Sequence, residues 1–170
     1  MNKTGFFLSF AILVIMQICI CNFFNVSQYV VLSILPVMIL FLPIKKGTAF
    51  ALFTAFLTGL AVDLLADGML GLNVLALVPV AYARRGIISL VFGEEIYARQ
   101  EDITIKRQGL WKVTVAIIMA QALFLVVYIL ADGAGTRPMW FNLARFGASL
   151  AAGYLLSLIV ANILTSDSNR

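Results

Sequence analysis

The chain has 170 residues, of which 62% are hydrophobic and 12% charged, with a formal net charge of +4 and a mean hydropathy of +1.03. Ordinary soluble domains are about 45–50% apolar and about 25% charged, so this composition excludes a water-soluble globule. The absence of histidine removes the commonest general base, the commonest metal ligand and every imidazole-based triad.

Six apolar stretches separated by polar breaks predict an all-α membrane protein, six transmembrane helices in one compact bundle spanning residues 1–170. The first stretch runs from about Gly5 to Cys21. No A-x-A cleavage site follows it and Asn22-Phe23-Phe24-Asn25 is bulky, so an uncleaved anchor is expected. Cys19 and Cys21, two apart on a helix, point away from each other and read as apolar fillers. A polar break at Asn25-Val26-Ser27-Gln28 leads to the second stretch, roughly Tyr29 to Ile44, which contains Pro36 and ends near Pro43. The third covers about Gly47 to Leu65, with a turn at Asp67-Gly68. The fourth, about Leu70 to Ala83, holds Pro79 and stops at Arg84-Arg85. The fifth is about Val113 to Ala131 and the sixth about Phe141 to Leu164, with Asp132-Gly133-Ala134-Gly135 turning between them.

Lys and Arg fall unevenly on the breaks. With the N-terminus inside, Lys3, Lys45, Lys46, Arg84, Arg85, Arg99, Lys106, Arg107, Lys112 and Arg170 are cytoplasmic, while Arg137 and Arg145 lie towards the outside. The positive-inside rule therefore places both termini in the cytoplasm. Basic residues beside apolar runs suit anionic membrane lipids rather than nucleic acid. Within the inner loop 84–112, Ile87–Phe92 with Ile96-Tyr97 reads as an interfacial amphipathic helix, a solvated connector or a docking surface.

The third stretch carries Gly47, Ala51, Ala55 and Gly59 at four-residue steps, and Asp63 falls on the next step. Small residues at this spacing let helices approach closely, either inside the bundle or on a docking face for another membrane protein. The sixth stretch repeats the device with Ala144, Ala148 and Ala152, beside Gly147 and Ala151. A carboxylate such as Asp63 tolerates hydrocarbon only by snorkelling, pairing or facing inward, and Arg145 at comparable depth is one partner to consider. Asp67 reads as a turn residue ahead of Gly68; Gly68 and Gly71 would let the chain reverse tightly. Asn73 is placed either to cap the fourth helix or to hydrogen-bond across to Asp63.

Gly59-x-x-x-Asp63-x-x-x-Asp67 resembles half of the metal-binding signature of membrane CDP-alcohol phosphotransferases. The other half is missing, since no acidic residue precedes Asp63. Two carboxylates alone are a poor site for a hard divalent cation, so no metal, cofactor or catalytic set is expected.

The run Gly59–Asn73, Leu75-Ala76-Leu77 and Ala81-Tyr82-Ala83-Arg84-Arg85 resemble the MreD family of rod-shape-determining membrane proteins. Its pattern is a helix ending in Gly-x-x-x-Asp, a Gly-containing turn, a Gly-x-Asn helix start and an arginine-bearing inner end. The resemblance implies a non-catalytic inner-membrane scaffold of bacterial cell elongation. Its partners would be an MreC-like bitopic protein and, through it, an MreB-like actin filament and a RodA/penicillin-binding protein pair. It also implies a fold similar to the substrate-binding components of energy-coupling-factor transporters. Such a vitamin-binding subunit is the alternative function, because Ala51-x-x-x-Ala55 resembles the motif those subunits use to dock their energising partner. Self-association into a homo-oligomer is left open.

Overall fold

A helix that is apolar on every side satisfies its own backbone and has no face to hide from lipid. Among the described residues, four segments are helices long and apolar enough to cross a membrane: Ile44–Ala66, Leu72–Phe92, Leu110–Gly133 and Met139–Leu164. The computed structural model describes residues 3–23, 30–67, 69–100, 102–133 and 137–166, without the side chains of 3–7, 67, 106 and 165–166. Among the described residues there is no strand.

The elements are α1 (Lys3–Phe23), α2 (Leu35–Leu40), α3 (Gly47–Val62), α4 (Leu72–Phe92), α5 (Glu95–Ala98), α6 (Ile105–Gln108), α7 (Leu110–Gly133) and α8 (Met139–Ser166). A 3₁₀ turn over Ile44–Lys46 leads into α3, and a π-helical turn over Asp63–Asp67 extends it. α3 and α4 form one antiparallel hairpin, α7 and α8 a second, and α4 packs on α7 to join them. The outside of this assembly is clad in exposed apolar side chains, among them Phe53, Phe56 and Leu57 of α3, Val126 and Leu130 of α7 and Leu155 and Ile159 of α8. In water such a surface would aggregate; these features fit a multi-pass membrane protein.

The expected second span takes another form. Residues 30–34 are non-helical and only Leu35–Leu40 coil into a helix, with Pro36 in its first turn, where its missing N–H costs nothing. Every residue of α2 is buried, so this segment is the core around which α4 and α7 pack. The polar break at 25–28 lies outside the described residues. The expected first span corresponds to α1, whose described apolar part, Leu8–Phe23, is shorter than the four helices long enough to cross a membrane.

The expected fourth span also ends later. α4 continues through Arg84-Arg85 to Phe92, so Ile87 and Ile88 are buried in a continuing helix rather than lying in an interfacial one. The two arginines look like a membrane boundary in the sequence, yet Arg84 is only 3% exposed and donates from Nε to the Leu40 carbonyl, 3.1 Å, and from Nη2 to that of Leu42. It thereby satisfies carbonyls left open where α2 ends.

Candidate functional site

Polar groups in an apolar bundle are costly unless answered, so the buried ones mark where the sequence commits to a particular geometry. Four such centres stand out among the described residues.

The first locks the α3–α4 hairpin. Asp63 is fully buried. Its Oδ1 accepts from the Asn73 N–H and from Asn73 Nδ2, both at 2.9 Å, and its Oδ2 from the N–H groups of Gly71 at 2.9 Å and Val74 at 3.3 Å. One carboxylate thus supplies the acceptors that the opening turn of α4 would otherwise lack, with charge complementary to the helix N-terminus. Gly71 precedes α4 at φ 95°, a left-handed conformation that glycine adopts without strain. Asn73 therefore does bond across to Asp63, as its position suggested. Gly68 and the side chain of Asp67 lie outside the described residues.

The small-residue stripe of α3 faces inward. Ala51 and Ala55 are 1% and 0% exposed, and a Cβ on Gly59 would stand 2.8 Å from Val74 Cα. Backbone meets backbone there, and no side chain can move aside. Gly47, at the start of α3, is exposed.

The second centre surrounds the non-helical stretch 30–34. Gln17 of α1 donates to the Leu32 carbonyl at 3.1 Å and accepts from the Ile34 N–H at 2.8 Å. Gln121, at the middle of α7, donates to the Ser33 carbonyl at 3.1 Å, and Ser149 of α8 accepts from the Val31 N–H at 2.8 Å. Irregular backbone inside an apolar bundle is tolerated only when protein groups satisfy it, and here three helices each lend a buried side chain. Gly153 makes room for this, since a Cβ there would run into the Gln121 amide.

The third centre joins α7 to α8. Asp132 Oδ2 accepts from Arg137 at 2.9 Å and also from Arg145. Arg145 therefore does not pair with Asp63: the carboxylate at the end of α7 answers it, while Asp63 is taken up by the turn it caps. Beside this cluster an apolar groove of about 420 Å³ runs between α7 and α8, lined by Ile129, Leu130, Trp140, Asn142, Leu143 and Phe146 among others. Asn142 Oδ1 is buried and has no hydrogen-bond partner.

The small residues expected to pack α8 lie on its outer side instead. Ala144, Gly147, Ala148 and Ala151 are exposed and Ala152 half-buried. The buried face of α8 is Arg145, Ser149, Gly153, Ser157 and Ala161, a second four-residue ladder that the sequence reading passed over. Its polar members are the signal that would have found it, as Gln17 and Gln121 would have marked the inner faces of α1 and α7.

The fourth centre is basic. A cavity of about 230 Å³ is lined by Ile44, Gly47, Thr48, Ala81, Arg84, Arg85 and Tyr97. The Arg85 guanidinium stacks over the Tyr97 ring, 5.5 Å from its centroid. Burial pushes the Tyr97 phenol above its ordinary pKa, while the charges of Arg84 and Arg85 pull it down. Asp102 borders this end, where its Oδ1 accepts from the Ile44 N–H at 3.0 Å.

Among the described residues no three His, Cys, Asp or Glu side chains gather as a metal site would require. No family model, curated protein or solved structure matches this chain.

Proposed function

We propose that the chain is a non-catalytic membrane scaffold that docks the transmembrane helix of another protein against α8. By the MreD-like pattern of Gly59–Arg85, that partner is an MreC-like bitopic protein of the bacterial cell-elongation machinery, with a RodA/penicillin-binding protein pair and an MreB-like filament reached through it. The inner membrane, with both termini cytoplasmic, belongs to the same reading.

The observation that supports it is the outer face of α8: Ala144, Gly147, Ala148 and Ala151, exposed together beside the α7–α8 groove. Small residues let a second helix approach to backbone distance, where packing replaces the hydrophobic drive that lipid cannot supply. The partnerless Asn142 Oδ1 in the same groove offers an acceptor to a polar side chain on that helix.

The test is co-purification of the tagged protein from native membranes in mild detergent, comparing wild type with Ala148→Leu. Recovery of an MreC-like protein by the wild type and its loss from the variant supports the reading. Equal recovery by both, from protein that remains folded, sinks the α8 face; no such partner with either sinks the scaffold.

A second reading, the binding subunit of a vitamin-type transporter, draws on the interrupted second segment, because discontinuous backbone near mid-bundle often builds substrate sites. Ala51 and Ala55, its expected docking motif, are buried under the chain's own helices. Recovery of a coupling subunit with paired ATPases in the same experiment would favour it.

A further inference from the structure

We propose that the cavity at the basic end of the α3–α4 hairpin is a binding site for an anionic phosphate group. Its position suits a phospholipid headgroup, and a soluble phosphate ester would present the same chemistry.

Three features of the cavity select that ligand. The first is charge. Arg84 and Arg85 both line it, and Arg85 has no ion-pair partner among the described residues. Asp102, whose charge acts on Arg84, spends Oδ1 on the Ile44 N–H, and among the residues that line the cavity two guanidinium groups stand with no carboxylate. Arg84 is held in place by the carbonyls of Leu40 and Leu42, which carry dipoles and no compensating charge.

The second is an unanswered donor. Tyr97 lines the cavity and its hydroxyl is buried without a hydrogen-bond partner. A buried hydroxyl left unpaired is a cost that an acceptor oxygen would remove. The Tyr97 ring also holds the Arg85 guanidinium by stacking, which fixes the fork that a phosphate accepts in bidentate fashion.

The third is the wall opposite. Gly47 and Thr48 line the cavity and begin α3, a helix that starts without a side-chain cap. The Gly47 N–H is taken by the Ile44 carbonyl, so what this wall offers an anion is the positive end of the α3 dipole. At about 230 Å³ the space is below the roughly 300–1,000 Å³ of pockets for whole drug-sized ligands. It fits a headgroup fragment whose remainder stays outside. Basic pockets between membrane helices commonly take phospholipid headgroups.

The experiment uses the full chain, purified in neutral detergent, with phosphatidylglycerol retention followed by native mass spectrometry and inorganic phosphate binding by calorimetry. Arg85→Gln and Tyr97→Phe are the variants: Arg85 is exposed and carries no structural hydrogen bond among those described, and Tyr97→Phe keeps the stacking ring. Losing one charge-assisted contact should weaken binding about tenfold or more, and losing the hydroxyl severalfold. Lipid retained by the wild type, weakened in both variants and unmoved by millimolar phosphate identifies a headgroup. Phosphate bound by the wild type and weakened in both variants identifies a soluble phosphate ester as the source. Lipid and phosphate binding that are absent, or equal in all three folded proteins, would overturn the proposal.

Discussion

The α3 and α8 stripes read alike in the sequence and fold in opposite senses. Gly47, Ala51, Ala55 and Gly59 climb α3 at four-residue steps, and Ala144, Ala148 and Ala152 do the same on α8. In α3 the buried steps close on α4 until Gly59 meets Val74 backbone to backbone; in α8 Ala144 and Ala148 look outward. Polar residues make the difference. On α3 the stripe is continued by Asp63, which is buried, and the row from Ala51 onward turns inward with it. On α8 the residues needing burial are Arg145, Ser149 and Ser157, one position round from the alanines. In an apolar solvent small residues permit close packing but cannot say which way a helix faces, because lipid is indifferent to them.

Enlarging the inner stripe should therefore damage the fold, and enlarging the outer one should not. The largest effect is expected from Gly59→Leu, which drives a side chain into the backbone of α4 and should leave no monodisperse protein by fluorescence-detected size exclusion. Ala55→Leu overpacks a site that is 0% exposed and should cost about 1–3 kcal/mol, read as a lower Tm in detergent. Asp63→Asn keeps the shape but trades two acceptor oxygens for one and loses the charge. A loss of about 1–3 kcal/mol is expected, and addition of Arg145→Gln should be additive because Asp132 is the partner of Arg145. Ser149→Val removes the acceptor of the Val31 N–H and should cost about 1 kcal/mol or somewhat more. Ala148→Leu should move Tm least, by an amount equivalent to about 0.5 kcal/mol or less. A collapse of Ala148→Leu as severe as that of Gly59→Leu would break the comparison.

The α3–α4 hairpin was legible because its determinants are local. Asp63 and the groups it accepts from, Gly71 to Val74, lie within 11 residues of one another, and a Gly-x-x-x-Asp step before a Gly-x-Asn start contains the whole device. The second segment was illegible for the opposite reason. Its hydropathy is that of a spanning helix, and what holds it open are side chains 15, 88 and 118 residues away along the chain. Arg84 misled in the same manner: beside Arg85 it resembles a membrane boundary, and only the buried end of α2 explains its place inside. Asp63 reads in the sequence as needing a partner, with Arg145 at comparable depth, but depth alone does not tell whether that arginine meets Asp63 or Asp132; the turn that consumes Asp63 does.

The hydrogen bonds around residues 30–34 also tie the centre of the bundle to widely separated parts of the chain. Gln17 precedes this stretch in the chain, Gln121 follows much later, and Ser149 belongs to α8, the last of the described helices. Without α8, the Val31 N–H must keep a water molecule or a transient acceptor, because an unanswered amide in hydrocarbon costs several kcal/mol. The centre of the bundle is thus closed by a group on α8, 118 residues along the chain from the amide it answers. A chain lacking α8 would leave the Val31 N–H without its acceptor at the centre of the bundle.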